Sequence, residues 1–173
     1  MNIVIISGPP AVGKATVAIE FARLTGYTFL HNHKISDQVS FEFGTPEFFN
    51  EITRLRMKKI KELIKKNSNL VLSFLYFPNE NDSFVKEITK YVKKNKGKIM
   101  FVQLHSEKSE LMKRVKGESR KKFGKLKTVK HLNEALKSRD LYALIPNVES
   151  LVIDNTKLSP KRVAQIIISH YKL

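Results

Sequence analysis

Short apolar runs alternate along this chain with segments in which apolar residues recur at helical spacing. The apolar runs predict five strands, at residues 2–7, 27–30, 69–75, 98–104 and 151–154. Four of them are continuous apolar runs, which are typical of parallel strands buried on both faces of a sheet. Such a sheet needs helices on both sides.

Helical periodicity predicts helices between the strands, over residues 17–25, about 46–66, 84–92 and from 160 onward. Thr45 and Ser159 each stand directly before a proline, a pair that is typical of a helix start. Gly26 suits the position after a helix, where a left-handed backbone is common. The sequence therefore predicts a single α/β domain over residues 1–173, with a doubly wound, five-stranded parallel sheet between two layers of helices.

The composition agrees with one globular domain and sets further limits. The chain has 173 residues, enough for a sizeable core, and is 42% hydrophobic and 28% charged. No apolar run approaches the roughly 20 residues that span a membrane. With no cysteine, the chain has neither disulfides nor a thiolate metal site. The first apolar run lacks a preceding basic region, so we expect a core strand rather than a signal peptide, and a cytoplasmic protein.

The formal net charge is +16, from 32 basic and 16 acidic residues. A lysine-rich surface exposed to water explains this excess, and so does attraction to nucleotides or nucleic acid. Many lysines fall in pairs on predicted helices, without interleaved aromatic residues that could stack on bases. A nucleic-acid partner therefore stays an open alternative.

The segment between the first strand and the first helix reads Gly-Pro-Pro-Ala-Val-Gly-Lys-Ala-Thr. Glycines let a backbone turn tightly and bring its N–H groups against phosphate oxygens, while the helix start and the lysine add positive charge. A strand before this loop and a helix after it are the context of a nucleotide-phosphate site. The predicted nucleotide contacts are Gly8, Pro9, Pro10, Ala11, Val12, Gly13, Lys14, Ala15 and Thr16.

One position departs from that motif. The residue after the lysine is normally Ser or Thr, whose hydroxyl binds Mg²⁺, but here it is Ala15, and the hydroxyl follows at Thr16. The predicted strand at 69–75 also ends without an acidic residue, offering Ser73 and then apolar side chains. We therefore expect Mg²⁺ to be held largely by nucleotide and water, with Thr16 nearby.

A second basic segment, at about 116–127, is dense in positive charge and contains two glycines. Such a segment suits a mobile lid that closes over polyphosphate and excludes water, with Arg120 neutralising charge on the transferred group. A surface loop exposed to water and a nucleic-acid clamp are the alternatives.

Taken in order, these motifs resemble small P-loop kinases of the shikimate kinase and nucleoside monophosphate (adenylate) kinase type. Besides the loop at 8–16, the similar segments are Leu-Met-Lys-Arg at 111–114, Arg-Asp-Leu-Tyr at 139–142 and Val-Ile-Asp-Asn-Thr at 152–156. The resemblance implies that Arg114 lies against the adenine of ATP, that Asn155 and Thr156 border the base, and that Arg139 holds an anionic group of the acceptor.

The chain departs from shikimate kinases after the second strand, where His31-Asn32-His33 replaces their Asp-x-Asp. Histidine takes up a proton near neutral pH, so His33 or His31 is a candidate general base. Asp37 could orient an imidazole or act as the base itself. The histidines could equally donate to an anionic acceptor or cap the next helix. A zinc site is not expected, because no third ligand has metal spacing.

A cluster of phenylalanines, Phe41, Phe43, Phe48 and Phe49, lies before and within the predicted helix at 46–66. It is either packing material or an acceptor pocket for a planar or apolar group, with Arg54 and Arg56 at its rim. Together these patterns predict a kinase that transfers the γ-phosphoryl group of ATP, with Mg²⁺, to a small-molecule acceptor. A kinase acting on a nucleic-acid end and a nucleotide-binding protein with little transfer activity are the alternatives.

Overall fold

The computed structural model describes residues 1–117 and 126–173. Its strands are β1 (Asn2–Ser7), β2 (Thr28–Leu30), β3 (Leu70–Ser73), β4 (Lys98–His105) and β5 (Ser150–Asp154). Its helices are α1 (Lys14–Thr25), α2 (Asn32–Ser36), α3 (Pro46–Lys65), α4 (Asp82–Lys94), α5 (Lys108–Arg114), α6 (Val129–Ser138) and α7 (Pro160–Tyr171). The predicted α/β alternation is confirmed.

All neighbouring strands are parallel, and the order across the sheet is β2-β3-β1-β4-β5. The first strand lies at the centre, with Ile3 opposite Leu70 of β3 and opposite Ile99 of β4. From β1 the chain winds first to one side and later to the other. A sheet wound in this way binds ligands beyond the carboxyl ends of its strands, where the winding reverses.

The continuous apolar run of β1 is buried on both faces of the sheet. Ile3 and Ile5 pack into one core cluster with residues of α3 and α4, whereas Val4 and Ile6 pack into another with α1 and α7. All four side chains have no exposed surface. A strand between two helical layers has no polar face, which explains why the sequence shows no alternation here.

Two helix starts confirm the capping signals in the sequence. The hydroxyl of Thr45 accepts from the Phe48 N–H at 3.2 Å, and that of Ser159 accepts from the Arg162 N–H at 3.2 Å. The start predicted for α1 is wrong by one turn, because the helix begins at Lys14. The short helix α2 has too few residues for apolar spacing to reveal it.

Residues 118–125 lie outside the described part of the chain. The lid predicted over 116–127, and Arg120 within it, therefore stay predictions. In the described residues, no helix combines the length and hydrophobicity needed to cross a bilayer.

Candidate nucleotide and acceptor site

The loop after β1 has a backbone that requires glycine at two positions. Gly8 has φ 137° and Gly13 has φ 102°, a region that favours glycine. A Cβ on Gly8 would lie 2.4 Å from the carbonyl oxygen of Leu104, so the loop passes directly over the end of β4. Ala11 adopts a left-handed conformation between them, with φ 68°.

Lys14 opens helix α1 and folds back across the loop. Its Nζ donates to the carbonyl oxygens of Gly8 at 2.7 Å and Pro9 at 2.8 Å. The positive end of a 12-residue helix lies at the same place. An ammonium group, a helix start and a glycine-turned backbone thus meet at one point, an arrangement that can bind polyphosphate.

The other side of the loop is held by Arg114 and Asn155. Both side chains donate to the Val12 carbonyl oxygen, Asn155 Nδ2 at 2.7 Å and Arg114 Nη1 at 3.2 Å. Arg114 Nη2 also donates to the carbonyl oxygens of Asn155 and Thr156, at 3.0 Å each, and its Nε donates to Glu110 at 2.8 Å. Arg114 therefore joins α5, the loop and the end of β5.

Thr156 completes this junction. Its hydroxyl donates to Asp154 Oδ1 at 2.6 Å and accepts from the Glu107 N–H at 2.9 Å. Hydrogen bonds from the Thr156 side chain and backbone lower the pKa of the Asp154 carboxyl, and the nearby charges of His105 and Arg114 lower it further. The end of β5 is thereby tied to the start of α5.

A cavity of about 820 Å³ extends from this loop toward α3 and α6. It brings together several residues that the sequence indicated, namely Lys14, Thr16, His33, Arg114 and Arg139. Ser73 at the end of β3 also lines it. Residues predicted to contact the nucleotide and residues predicted to contact the acceptor thus line the same cavity.

Of the residues predicted for the acceptor or its activation, three in the described chain do not line that space. Arg54 is 62% exposed and makes a bidentate pair with Glu51 at 2.7 and 2.8 Å, because its position on α3 faces water. Asp37 is exposed at the end of α2, and the ring of His31 packs beside Phe29, with centroids 5.1 Å apart. The roles predicted for these three residues stay predictions.

Arg56, two positions after Arg54, occupies the inner wall of the cavity instead. It is only 5% exposed, and its Nε donates to Asn32 Oδ1 at 2.8 Å. Its guanidinium lies over the rings of Phe74 and Phe84, at 5.3 and 5.5 Å from their centroids. In the described part of the chain its buried Nη1 has no hydrogen-bond partner.

Burial lowers the pKa of Arg56 to about 9, so the group is still a cation at neutral pH. A buried charge normally has a partner of opposite sign, since an uncompensated ion in the interior is strongly unfavourable. The nearest partner here is the neutral amide of Asn32. Arg56 therefore has no carboxylate partner in the described chain, an arrangement that can bind an anion entering the cavity.

Arg139 lies elsewhere on the same cavity wall. It forms an ion pair with Glu80, and its guanidinium stacks over Phe77 at 4.6 Å from the ring centroid. Both partners are about one-third exposed. Unlike Arg56, this arginine already has a carboxylate.

Among the described residues that line the cavity, none is Asp or Glu. The side-chain oxygens in this described lining are neutral hydroxyls and amides, among them the hydroxyls of Thr16 and Ser73. No group of three His, Asp or Glu residues in the described chain is placed to hold a metal ion. The donor set therefore fits a metal carried by the phosphates of a nucleotide and not a site built by the protein alone.

Solved structures share this architecture at low sequence identity. A sugar kinase from Janibacter sp. HTCC2649 aligns over 99% of this chain and 95% of its own, with TM-score 0.68 and 14% identity. The APS kinase of Mycobacterium tuberculosis, in complex with AMPPNP and APS, aligns over 99% and 98%, with TM-score 0.64 and 14% identity. Shikimate kinase from Acinetobacter baumannii, in complex with shikimate, aligns over 99% and 92%, with TM-score 0.58 and 21% identity.

This chain has the fold of the P-loop small-molecule kinases. The resemblance found in the sequence is confirmed at the level of the fold. No protein-family model and no curated protein matches the sequence.

Within this P-loop kinase fold, the sequence indicated more of the residues in the loop after β1 than of the cavity residues on α3. Arg56 was indicated only as one of two arginines at the rim of a possible pocket. The usable signal was its spacing: Arg56 lies four residues after Ile52 and four before Ile60, both buried, whereas Arg54 falls on the opposite face.

Proposed function

We propose that this protein is an ATP-dependent kinase whose small-molecule acceptor carries an anionic group. One observation supports this most directly. The loop at 8–14 shares a cavity with Arg56, a buried cation without a carboxylate partner among the described residues. A cation at each side of one cavity suits a phosphoryl donor and an anionic acceptor.

The donor would be held by the loop backbone and Lys14. Amide N–H groups and the start of α1 bind phosphate oxygens, and Lys14 exchanges its carbonyl partners on Gly8 and Pro9 for the outer phosphates. Asn155 and Thr156 lie behind this loop, and Arg114 fixes them to it. Arg114 thus positions the loop through Val12.

Mg²⁺ accompanies ATP in phosphoryl transfer, and it would be held here by the nucleotide, water and the hydroxyls of Thr16 and Ser73. When bound, the ion neutralises part of the phosphate charge. Lys14 supplies a further positive charge at the loop.

The acceptor would lie between Arg56 and the phosphate loop. Its attacking oxygen forms a bond to the γ-phosphorus, the bond from that phosphorus to the bridging oxygen breaks, and ADP leaves with the electron pair. When the attacking group is a hydroxyl, its proton passes to His33. In the described lining, His33 is the one side chain whose type changes protonation near neutral pH.

The proposal is tested by calorimetry with ATP and by transfer of label from γ-labelled ATP into a panel of anionic metabolites. We expect Lys14→Ala to weaken ATP binding strongly, and Lys34→Ala, an exposed lysine on α2, to leave it unchanged. Absence of ATP binding in the unaltered protein would reject the proposal. ATP binding without acceptor-dependent turnover would favour a nucleotide-binding protein with little transfer activity.

A further inference from the structure

Four phenylalanine rings form one wall of the acceptor half of the cavity. Phe43 lies at their centre, with ring centroids 5.1 Å from Phe48, 6.3 Å from Phe49 and 6.2 Å from Phe77. Phe48, Phe49 and Phe77 are each 6% exposed, so they are part of the core as well as of the wall. Three of the four rings are therefore held in place by the core behind them.

Phe43 differs from the other three because it is 63% exposed while lining the cavity. It precedes helix α3 in an irregular segment. An aromatic ring left largely in water at the mouth of a cavity offers a face for a second planar group.

Arg56 lines the same cavity from helix α3. Its guanidinium is backed by Phe74 and Phe84, and its Nε donates to the amide oxygen of Asn32. A planar fork with a buried N–H and no partner in the described chain matches the two oxygens of a carboxylate or phosphate. The half-cavity is thus apolar along one side and carries two arginines. Arg139, over Phe77, is already paired with Glu80, whereas Arg56 has no carboxylate partner in the described chain.

The same lining is poorly suited to a sugar. Each hydroxyl of a polyol that enters a closed site loses its water and needs a protein partner, and carboxylates and amides usually provide them. The described lining offers no carboxylate, and the amide oxygens of Asn32 and Asn81 already accept from Arg56 and from the Phe77 N–H. The hydroxyls of Ser36 and Ser138 already donate to backbone carbonyls. An aromatic ring has no hydroxyls that need hydrogen-bond partners when it leaves water.

We propose, on the basis of the proposed function, that the acceptor is a planar aromatic oxyanion rather than a polyhydroxylated one. Its oxyanion pairs with Arg56, and its ring packs against Phe43 and the wall behind it. Phe43 then determines specificity for the body of the acceptor, and Arg56 for its charge.

The test uses protein saturated with ADP, so that the phosphate loop is filled and only the acceptor half remains open. Affinities of four probes are measured by ligand-detected NMR: 4-hydroxybenzoate, phenyl phosphate, gluconate and benzyl alcohol. The first two share a ring and an oxyanion, gluconate keeps the anion without the ring, and benzyl alcohol keeps the ring without the anion. Comparison of the first two shows whether the oxyanion is a carboxylate or a phosphate.

We expect one of the two aromatic oxyanions to bind at least about tenfold more tightly than gluconate and benzyl alcohol. Phe43→Ala should weaken that probe roughly three- to tenfold, the loss expected for one aromatic contact. Phe41→Ala is the matched control, because Phe41 is 51% exposed on the same segment and does not line the cavity. Arg56→Met should reduce binding of the oxyanions and leave benzyl alcohol unchanged.

Three results would overturn the inference: gluconate binding as tightly as the aromatic oxyanions, equal affinities in the Phe43→Ala and Phe41→Ala proteins, or no probe binding at millimolar concentration. ADP affinity is measured first in every variant, which also reports whether it is folded. If the unaltered protein does not bind ADP, the proposed function is contradicted. If the ADP-loaded protein binds gluconate more tightly than the aromatic oxyanions, only the proposal of an aromatic acceptor is contradicted.

Discussion

Some residues that line the cavity are in an energetically unfavourable state that a bound ligand could relieve. Arg56 is the clearest case, since a buried guanidinium with a neutral partner is unfavourable for the empty protein. Such a residue should be recognisable by stability measurements as well as by binding.

Replacing Arg56 with Met is expected to leave the melting temperature unchanged or raise it by about 2–4 °C, corresponding to about 1 kcal/mol. The reason is removal of a cation that the folded chain buries without a carboxylate. Arg54→Met, which removes an exposed pair with Glu51, should have no measurable effect. Calorimetric melting at pH 7 provides the measurement, and a clear drop for Arg56→Met would show that Arg56 is mainly structural.

The effect of Arg56→Met on the free energy of unfolding should change with pH in a direction that the pKa shift determines. Burial lowers the pKa of Arg56 to about 9 from its ordinary value of 12.5, so between these values the unfolded chain binds more protons. The contribution of Arg56 to stability therefore rises with pH in that window, and its full penalty is present below pH 9. Urea unfolding at pH 7 and pH 10 should show the gain from Arg56→Met shrinking at the higher pH; a gain that grows would contradict this.

At the level of elements, the phosphate loop depends on contacts from α5 and the end of β5. Arg114 and Asn155 both hold the Val12 carbonyl oxygen, and Arg114 also bonds two carbonyls beyond β5. The loop conformation is thus supported by two residues that lie 102 and 143 positions from Val12 in the sequence.

Arg114→Gln is expected to weaken ATP binding about tenfold and to lower stability by about 1–3 kcal/mol, because several buried or half-buried acceptors lose a charged donor. Lys113→Gln is a suitable control, since the neighbouring Lys113 side chain is 78% exposed. Calorimetric ATP titration and thermal melting measure the two effects. If ATP affinity is unchanged while stability falls, Arg114 supports the fold without positioning the loop.

At the scale of the whole molecule, the net charge of +16 produces a long-range attraction for anions. The cavity adds local cations without carboxylates in its described lining. These two effects have different ranges, and salt separates them because it screens exposed charges more than buried ones.

Oligonucleotide binding is expected to be non-specific and to disappear between about 50 and 200 mM salt, as for contacts made by surface lysines alone. Affinity should be the same for oligonucleotides with and without a 5′-hydroxyl, and γ-labelled ATP should not label their ends. Fluorescence anisotropy and a labelling gel measure this. End labelling that persists at 200 mM salt would instead support a nucleic-acid kinase.

The sequence by itself determined the alternation of strands and helices, the parallel sheet and the loop at 8–16. These depend on local chemistry: apolar runs must be buried, proline after Thr or Ser starts a helix, and a glycine-lysine loop has few other uses. The strand order and the set of residues that line the cavity were decided only by the tertiary structure. Arg54 and Arg56 are the same residue type two positions apart, and packing of α3 against the sheet turns one toward water and the other inward. Asn32 and Phe74 meet Arg56 from distant parts of the chain, and no local pattern encodes that meeting.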